Sequence, residues 1–369
     1  MKRFLTAAAM RRYEQKIFDS GTAPIDVMET AATGICHFIK ARFEKSAFIC
    51  FVCGKGNNGG DAIAAARLLF CEGYNTKIIM AMGQPQTENA SINLKKAMDL
   101  SVPVVFDCYD DLAFCDVVVD AVFGIGFSGA ANLECIEKIN ACGAFKLAVD
   151  IPSGVSSDTG EIAGKAVNAH ATLTFGYIKP GLVQYPGKNC AGEIFIAKIA
   201  THEPDSFDGF VPDDGFIKNL IPKQADDANK GDFGRLLVIA GSVGMTGAAH
   251  LSCMGALRSG CGLVTLAIAQ NLNSIMEIKL TEAMTLPLDC NDKITPEAFV
   301  PVLNNIDRYN AAIVGPGLGT SDEVAKIVSE ILKTGIPTVI DADGINSIAP
   351  NINILRNAVS PVVLTPHPG

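Results

Sequence analysis

Short apolar runs recur along the whole chain, among them AFICFV, DVVVDAVF, FKLAVDI, RLLVIA and GLVTLAIA, and each breaks at Gly, Pro or charge. Stretches with helical spacing fall between them. This alternation predicts parallel βαβ units, with helices covering both faces of each sheet. In the first half, strands are expected near 47–53, 76–81, 116–120, 145–150 and 171–176. Helices are expected near 6–19, 25–44, 60–72, 88–99 and 131–142. In the third of these, Ala62, Ile63, Ala66, Leu69 and Phe70 form one apolar stripe, which places Asp61 in the first turn. No run approaches the roughly 18 residues of a membrane span, so no membrane is expected as a partner. The opening MKRFLTAAAMRRYEQ is too briefly apolar for a secretory signal and reads as the first helix.

The stretch THEPDSFDGFVPDDG, at 201–215, is rich in Asp, Pro and Gly and marks a boundary between domains 1–210 and 215–369. Beyond it the rhythm resumes in RLLVIAGS, GLVTLAIA, AAIVGPGLG, TVIDADGIN and PVVLTPHPG. A chain of 369 residues, 49% hydrophobic, can bury two such cores. Thirty basic against 39 acidic residues leave a net charge of −9 without a basic stripe, which argues against nucleic acid as a partner. An anionic ligand would have to be held locally. Twelve cysteines spread over a long chain read as reduced thiols of a cytoplasmic protein. Cys50 and Cys53 have C-x-x-C spacing, but they lie inside an apolar strand.

The chemistry concentrates in FVCGKGNNGGD, residues 51–61. Gly54, Gly56 and Gly59 satisfy G-x-G-x-x-G between a strand and a helix. A dinucleotide dehydrogenase would carry an acid at the end of the next strand, and TKIIMAMG has none. A Walker loop would carry Lys and Ser or Thr where Gly60 and Asp61 stand. Two readings stay open. One is a helix N-terminus presenting backbone N–H groups to a phosphate, the other a tight turn that needs glycine only for its dihedral angles. Two more turns share the pattern. One strand ends at Asp120 before Gly124, Gly126 and Gly129; another ends at Asp150 before Pro152, Ser153 and Gly154. Either aspartate alone reads equally as a carboxylate capping its turn. Ligands of open α/β sheets bind beyond the carboxyl ends of the strands, so the three turns are expected to share one cleft.

GKGNNGGD, DAVFGIGFSG, VDIPSGVSSDTG and FGYIKPGL, in this order and spacing, resemble the NAD(P)H-hydrate epimerase domain over about residues 1–210. The resemblance implies a Rossmann-like α/β/α sandwich that interconverts the R and S epimers of hydrated NADH and NADPH and binds a potassium ion. It implies that Asn57, Asn58, Gly59, Gly60 and Asp61 hold the hydrated coenzyme together with Gly124, Ile125, Gly126, Phe127, Ser128, Gly129 and Ala130. Asp150 would contact the reacting end as acid/base, and Asn58, Asp120 and Ser153 would ligate potassium. Inversion at a carbon bearing a hydroxyl beside a ring nitrogen needs proton transfer to and from that oxygen, which a carboxyl group can perform. Lys179 reads as a partner for substrate phosphate, for a carboxylate or for solvent. Ala62 departs from the family, which usually continues with glycine.

In the second half, NKGDFGRLLVIAGSVGMTGAAHLSCMGALRSGCGLVTLA, VGPGLGTSDE, VIDADGIN and LTPHPG resemble the opening of the ADP- or ATP-dependent NAD(P)H-hydrate dehydratase domain. That domain is a ribokinase-like α/β fold. The resemblance implies that Gly319 and His367 face the hydrated nicotinamide, with ADP or ATP as co-substrate; His367 reads equally as a capped histidine. Asn229 stands where a histidine is usual. The family's later glycine-rich turn and its catalytic aspartate are not found before Gly369, so an incomplete second domain without dehydratase turnover is expected. The oligomeric state is open, a homo-oligomer included.

Overall fold

The apolar runs form parallel strands. In a computed structural model, which describes residues 2–129, 131, 133–221 and 225–367, the chain divides into two units, Met1–Pro222 and Lys223–Gly369, each with its own sheet. The first unit contains β1 (Lys2–Phe4), β2 (Phe48–Cys53), β3 (Asn75–Met80), β4 (Val104–Phe106), β5 (Val117–Ala121), β6 (Phe145–Val149), β7 (Ala171–Phe175), β8 (Glu193–Ala197) and β9 (Gly209–Val211). Strands β2 to β8 form one all-parallel sheet in the order β4-β3-β2-β5-β6-β7-β8. The 201–215 stretch is not bare linker. It holds β9, which pairs antiparallel with β1 and ties this segment to the N-terminus.

The helices of this unit include α1 (Ala7–Asp19), α2 (Pro24–Lys40), α3 (Asn57–Cys71), α4 (Glu88–Asp99) and α5 (Glu134–Ala141). Residues of α1 to α4, such as Met10, Ile35, Ile63 and Leu94, pack with Phe51 and Cys53 on one face of the sheet. Cys135, Ile136 and Ile139 of α5 pack with Cys50 and Val52 on the other. Alternation along the strand therefore sends Cys50 and Cys53 to opposite faces, and the C-x-x-C spacing makes no thiol pair.

The second unit contains β10 (Arg235–Ile239), β11 (Leu263–Ala269), β12 (Met284–Leu288), β13 (Ala311–Val314), β14 (Thr338–Asp341) and β15 (Val362–Thr365). They form a second all-parallel sheet in the order β12-β11-β10-β13-β14-β15, with Leu237, Ile239, Phe299, Ile327 and Ile331 in its core. Three strands in the two sheets were not expected from the sequence: β4, β8 and β12. Among the described residues, no helix is long and apolar enough to cross a membrane.

Strand order reverses in both sheets. In the first, the chain runs outward from β2 to β4 and returns to place β5 on the other side of β2. Diverging loops leave a crevice at such a reversal. Its walls here are the turns after β2 and β5, the two glycine-rich segments.

Candidate active site

Helix α3 begins at Asn57, three residues earlier than expected, so Asp61 lies in the second turn rather than the first. Gly56 precedes it without a side-chain cap. The glycines serve close approach. None of Gly54, Gly56, Gly59 and Gly60 is in the left-handed region, but a Cβ at Gly54 would stand 2.0 Å from the Val122 carbonyl oxygen, and one at Gly59 would stand 2.2 Å from that of Gly54. Both are impossible contacts. Gly60 packs α3 against its neighbours, with Met28 and Ala90 2.6 and 2.9 Å from where a Cβ would lie. The reading in which glycine is needed for its dihedral angles is thereby replaced by backbone packing at the crevice.

Asp120 near the end of β5 is fully buried. Its Oδ2 accepts from the Ser153 amide at 2.8 Å, and its Oδ1 accepts from the Ser153 hydroxyl at 2.6 Å and the Val122 amide at 3.3 Å. The Ser153 oxygen in turn accepts from the Phe123 amide at 2.9 Å. Asn58 reaches across from α3, donating to the carbonyls of Phe123 at 2.8 Å and Val149 at 3.2 Å. These bonds join the starts of the three turns around the Phe123 peptide. Burial pushes the Asp120 carboxyl up to about 6, against the lowering effect of the Ser153 and Val122 hydrogen bonds. Among the described residues no cation contributes. A buried carboxylate compensated only by neutral donors, beside an amide and a hydroxyl, is an oxygen set that suits a hard monovalent cation.

Asp150 follows β6 with φ +67°, a left-handed conformation that is strained for a non-glycine residue. Its backbone N–H bonds to the Leu173 carbonyl at 2.8 Å, which holds that conformation. Oδ1 accepts from Lys179 Nζ at 2.5 Å, the Thr174 hydroxyl at 3.3 Å and the Phe175 amide at 3.5 Å. Lys179 is only 1% exposed and donates also to Thr174 Oγ1 at 2.9 Å and the Phe175 carbonyl at 2.8 Å. Its ammonium thus has three protein acceptors. Of the three partners open from sequence, the structure selects the carboxylate.

Two further carboxyl groups act on this pair. Asp61 on α3 is raised well above the ordinary aspartate value, first by burial and then by the charges of Asp150 and Glu14. Glu14 on α1 is raised by burial and by Asp150, while Lys179 and Arg11 act in the opposite direction. Sequence reasoning did not single out Glu14. The only signal was spacing: Met10, Arg11 and Glu14 share a helical face in a segment read simply as the first helix.

Phe123 and Phe127 stack at 4.4 Å in the second turn, and Ile125 accepts weakly from Ser157 at 3.4 Å. Asn57, Gly126, Ser128 and Gly129 are exposed along the rim. Ala130 lies outside the described residues. In the second unit, the reversal lies between β10 and β13, where the chain turns at Gly241 and through Gly315, Gly317 and Gly319, all with positive φ. The Gly319 amide donates to Asp343 Oδ2 at 2.9 Å. His367 is exposed two residues past β15, on the same sheet edge as Gly319 but separated from it by β14.

A family model described as YjeF-related protein N-terminus matches residues 24–181, and one described as NAD(P)H-hydrate dehydratase matches residues 236–369. The bifunctional NAD(P)H-hydrate repair enzyme Nnr of Moorella thermoacetica is 32% identical over 388 aligned residues, covering 99% of this chain and 73% of that protein. The protein of the same description from Coxiella burnetii is 32% identical over 369 residues, covering 98% and 73%. These matches run through both halves of the chain and do not show the dehydratase half to be lacking, and the chain spans 73% of the length of each relative.

Proposed function

The chain belongs to the family of bifunctional NAD(P)H-hydrate repair enzymes, and from that premise we propose that the crevice of its first unit epimerises hydrated NADH and NADPH. The observation that carries this reading is the convergence on one sheet edge of the β2 and β5 glycine turns, which flank the reversal, and of the buried Asp150–Lys179 pair beyond the neighbouring β6 and β7. Asn57 to Asp61 and the turn from Gly124 onward line the coenzyme side. Asp150 faces the reacting end of the substrate. Incubating the full chain with one purified epimer and separating the products by chromatography tests this; equilibration no faster than in buffer would remove it.

Asn58, Asp120 and Ser153 would hold potassium. The ion would supply positive charge beside the buried Asp120 carboxylate and stiffen the turns around Phe123. Melting the protein in potassium chloride and in the chloride of a bulky organic cation should give a higher midpoint in potassium. Asp120→Asn should abolish that difference. Equal midpoints for the wild type at saturating salt would exclude the ion site.

For the second unit, the reading is a dehydratase that uses ADP or ATP. Gly319 and His367 would stand on the edge facing hydrated nicotinamide. Nucleotide-dependent growth of absorbance at the reduced-nicotinamide band is the measurement for this half.

A further inference from the structure

Resting on the epimerase reading, the site raises a question about the source of the proton. Inversion at C6, the hydroxyl-bearing carbon beside ring nitrogen N1 of the hydrated nicotinamide, by loss and return of the hydroxyl needs a proton delivered to the departing oxygen. Ion-paired Asp150 has no proton to give at the start of the step, because its Oδ1 is the anionic partner of Lys179 and also accepts from Thr174 and Phe175. It is placed to face a cation and to accept a proton.

Helix α1 supplies another group. Met10 and Tyr13 stand 3.1 and 3.5 Å from where a Cβ at Gly176 would lie, directly after the Phe175 that contacts both Asp150 and Lys179. Arg11 Nη2 stands 3.9 Å from the corresponding point at Gly126, on the β5 turn. The N-terminus of the helix is pinned by the Ala7 amide donating to Asp158 at 2.6 Å. Glu14 lies one turn beyond Met10 and Arg11, on the helix face between these two contacts, and is close enough to Asp150 and Lys179 to feel both charges. The charged groups facing it are Arg11 on its own helix and Asp150, Asp61 and Lys179 from the sheet edge and α3.

We propose that Glu14 is a second catalytic carboxyl group of the epimerase site, giving its proton to the departing C6 hydroxyl while Asp150 receives one from the water that re-adds. The C6–O bond breaks and water leaves as the N1 lone pair forms N1=C6. A water molecule then adds to the other face of C6, the N1=C6 pair returns to N1, and Asp150 takes the surplus proton. Glu14 is left as the carboxylate. Turnover in the reverse direction, or proton exchange with solvent, restores the starting form. Nothing is oxidised or reduced. Glu14 differs from Asp61 in having cations beside it: Arg11 and Lys179 offset part of the upward push from burial and Asp150. No cation is among the influences on Asp61, whose carboxyl is pushed well above the ordinary aspartate value by burial and by the charges of Asp150 and Glu14.

The test is the steady-state rate of each epimer's conversion by the full chain between pH 6 and 9, for wild type, Glu14→Gln and Glu14→Asp. Glu14→Gln should lower kcat about 10²- to 10³-fold in both directions with KM changed less than about threefold, as expected for loss of a general acid. The fall in wild-type rate for one epimer as pH rises through the Glu14 titration should vanish, and Glu14→Asp should recover about tenfold over Glu14→Gln. An unchanged rate and pH profile in Glu14→Gln would overturn the assignment. So would equal losses in both variants accompanied by raised KM, since that is the mark of a merely positioning side chain. A wild type without epimerisation would instead remove the reading on which the assignment rests.

Discussion

At the scale of single residues, the site depends on how its buried charges are compensated. Lys179 and Asp150 form an ion pair with little exposure, and removing one member of such a pair commonly costs about 3–5 kcal/mol because the other charge is left alone. Lys179→Met should therefore lower the thermal midpoint sharply and stop epimerisation. Adding Asp150→Asn to it should restore much of the stability and none of the activity. A double variant as unstable as the single one would show that the loss comes from packing rather than charge. Asp120 differs because its described partners are all neutral, which is why the potassium proposal attaches to it. Of these residues, Asp61, Asp120 and Asp150 are visible in sequence as acids beside glycine turns. Lys179 could be seen but not placed, because burial of a lysine depends on carboxylate and carbonyl partners brought from β6 and β7. Glu14 was hidden: it sits 136 positions before Asp150, and only the fold brings α1 to that strand's end.

At the scale of elements, the glycine turn is a packing joint between β2, β5 and α3. A methyl group at Gly59 would press on the Gly54 carbonyl, whereas nothing lies within 4 Å of one at Gly56. Gly59→Ala should destabilise the protein by about 1–3 kcal/mol, as overpacking does, and Gly56→Ala by less than about 1 kcal/mol. Chemical denaturation of the two variants checks this, and equal losses would return the turn to a conformational role. Central strands were legible because burial on both faces writes them as unbroken apolar runs. The unexpected β4, β8 and β12 are all edge strands. β4 has only three residues, β8 has no fully buried position, and β12 carries Pro287, which an edge tolerates because one side of the strand needs no ladder partner. Helix α3 started early because Asn57 and Asn58 read as turn residues, though they form the first turn of the helix.

At the scale of the whole molecule, the same construction occurs twice. Each unit is built on an all-parallel sheet whose strand order reverses once, and each places glycine turns at that reversal, between β2 and β5 or between β10 and β13. A chain of net charge −9 offers no broad attraction to an anionic coenzyme, so recognition has to come from the backbone and from single cations such as Arg11 at the crevice. In the proposed reaction the first crevice inverts C6 with Asp150 at the reacting end. Its most direct test is exchange between the purified epimers of hydrated NADH, catalysed by the full chain and by Asp150→Asn at equal concentration. Rapid equilibration is expected of the wild type and a rate about 10²- to 10⁴-fold lower of Asp150→Asn, with substrate binding measured by calorimetry largely retained. Equilibration by Asp150→Asn at the wild-type rate would contradict it.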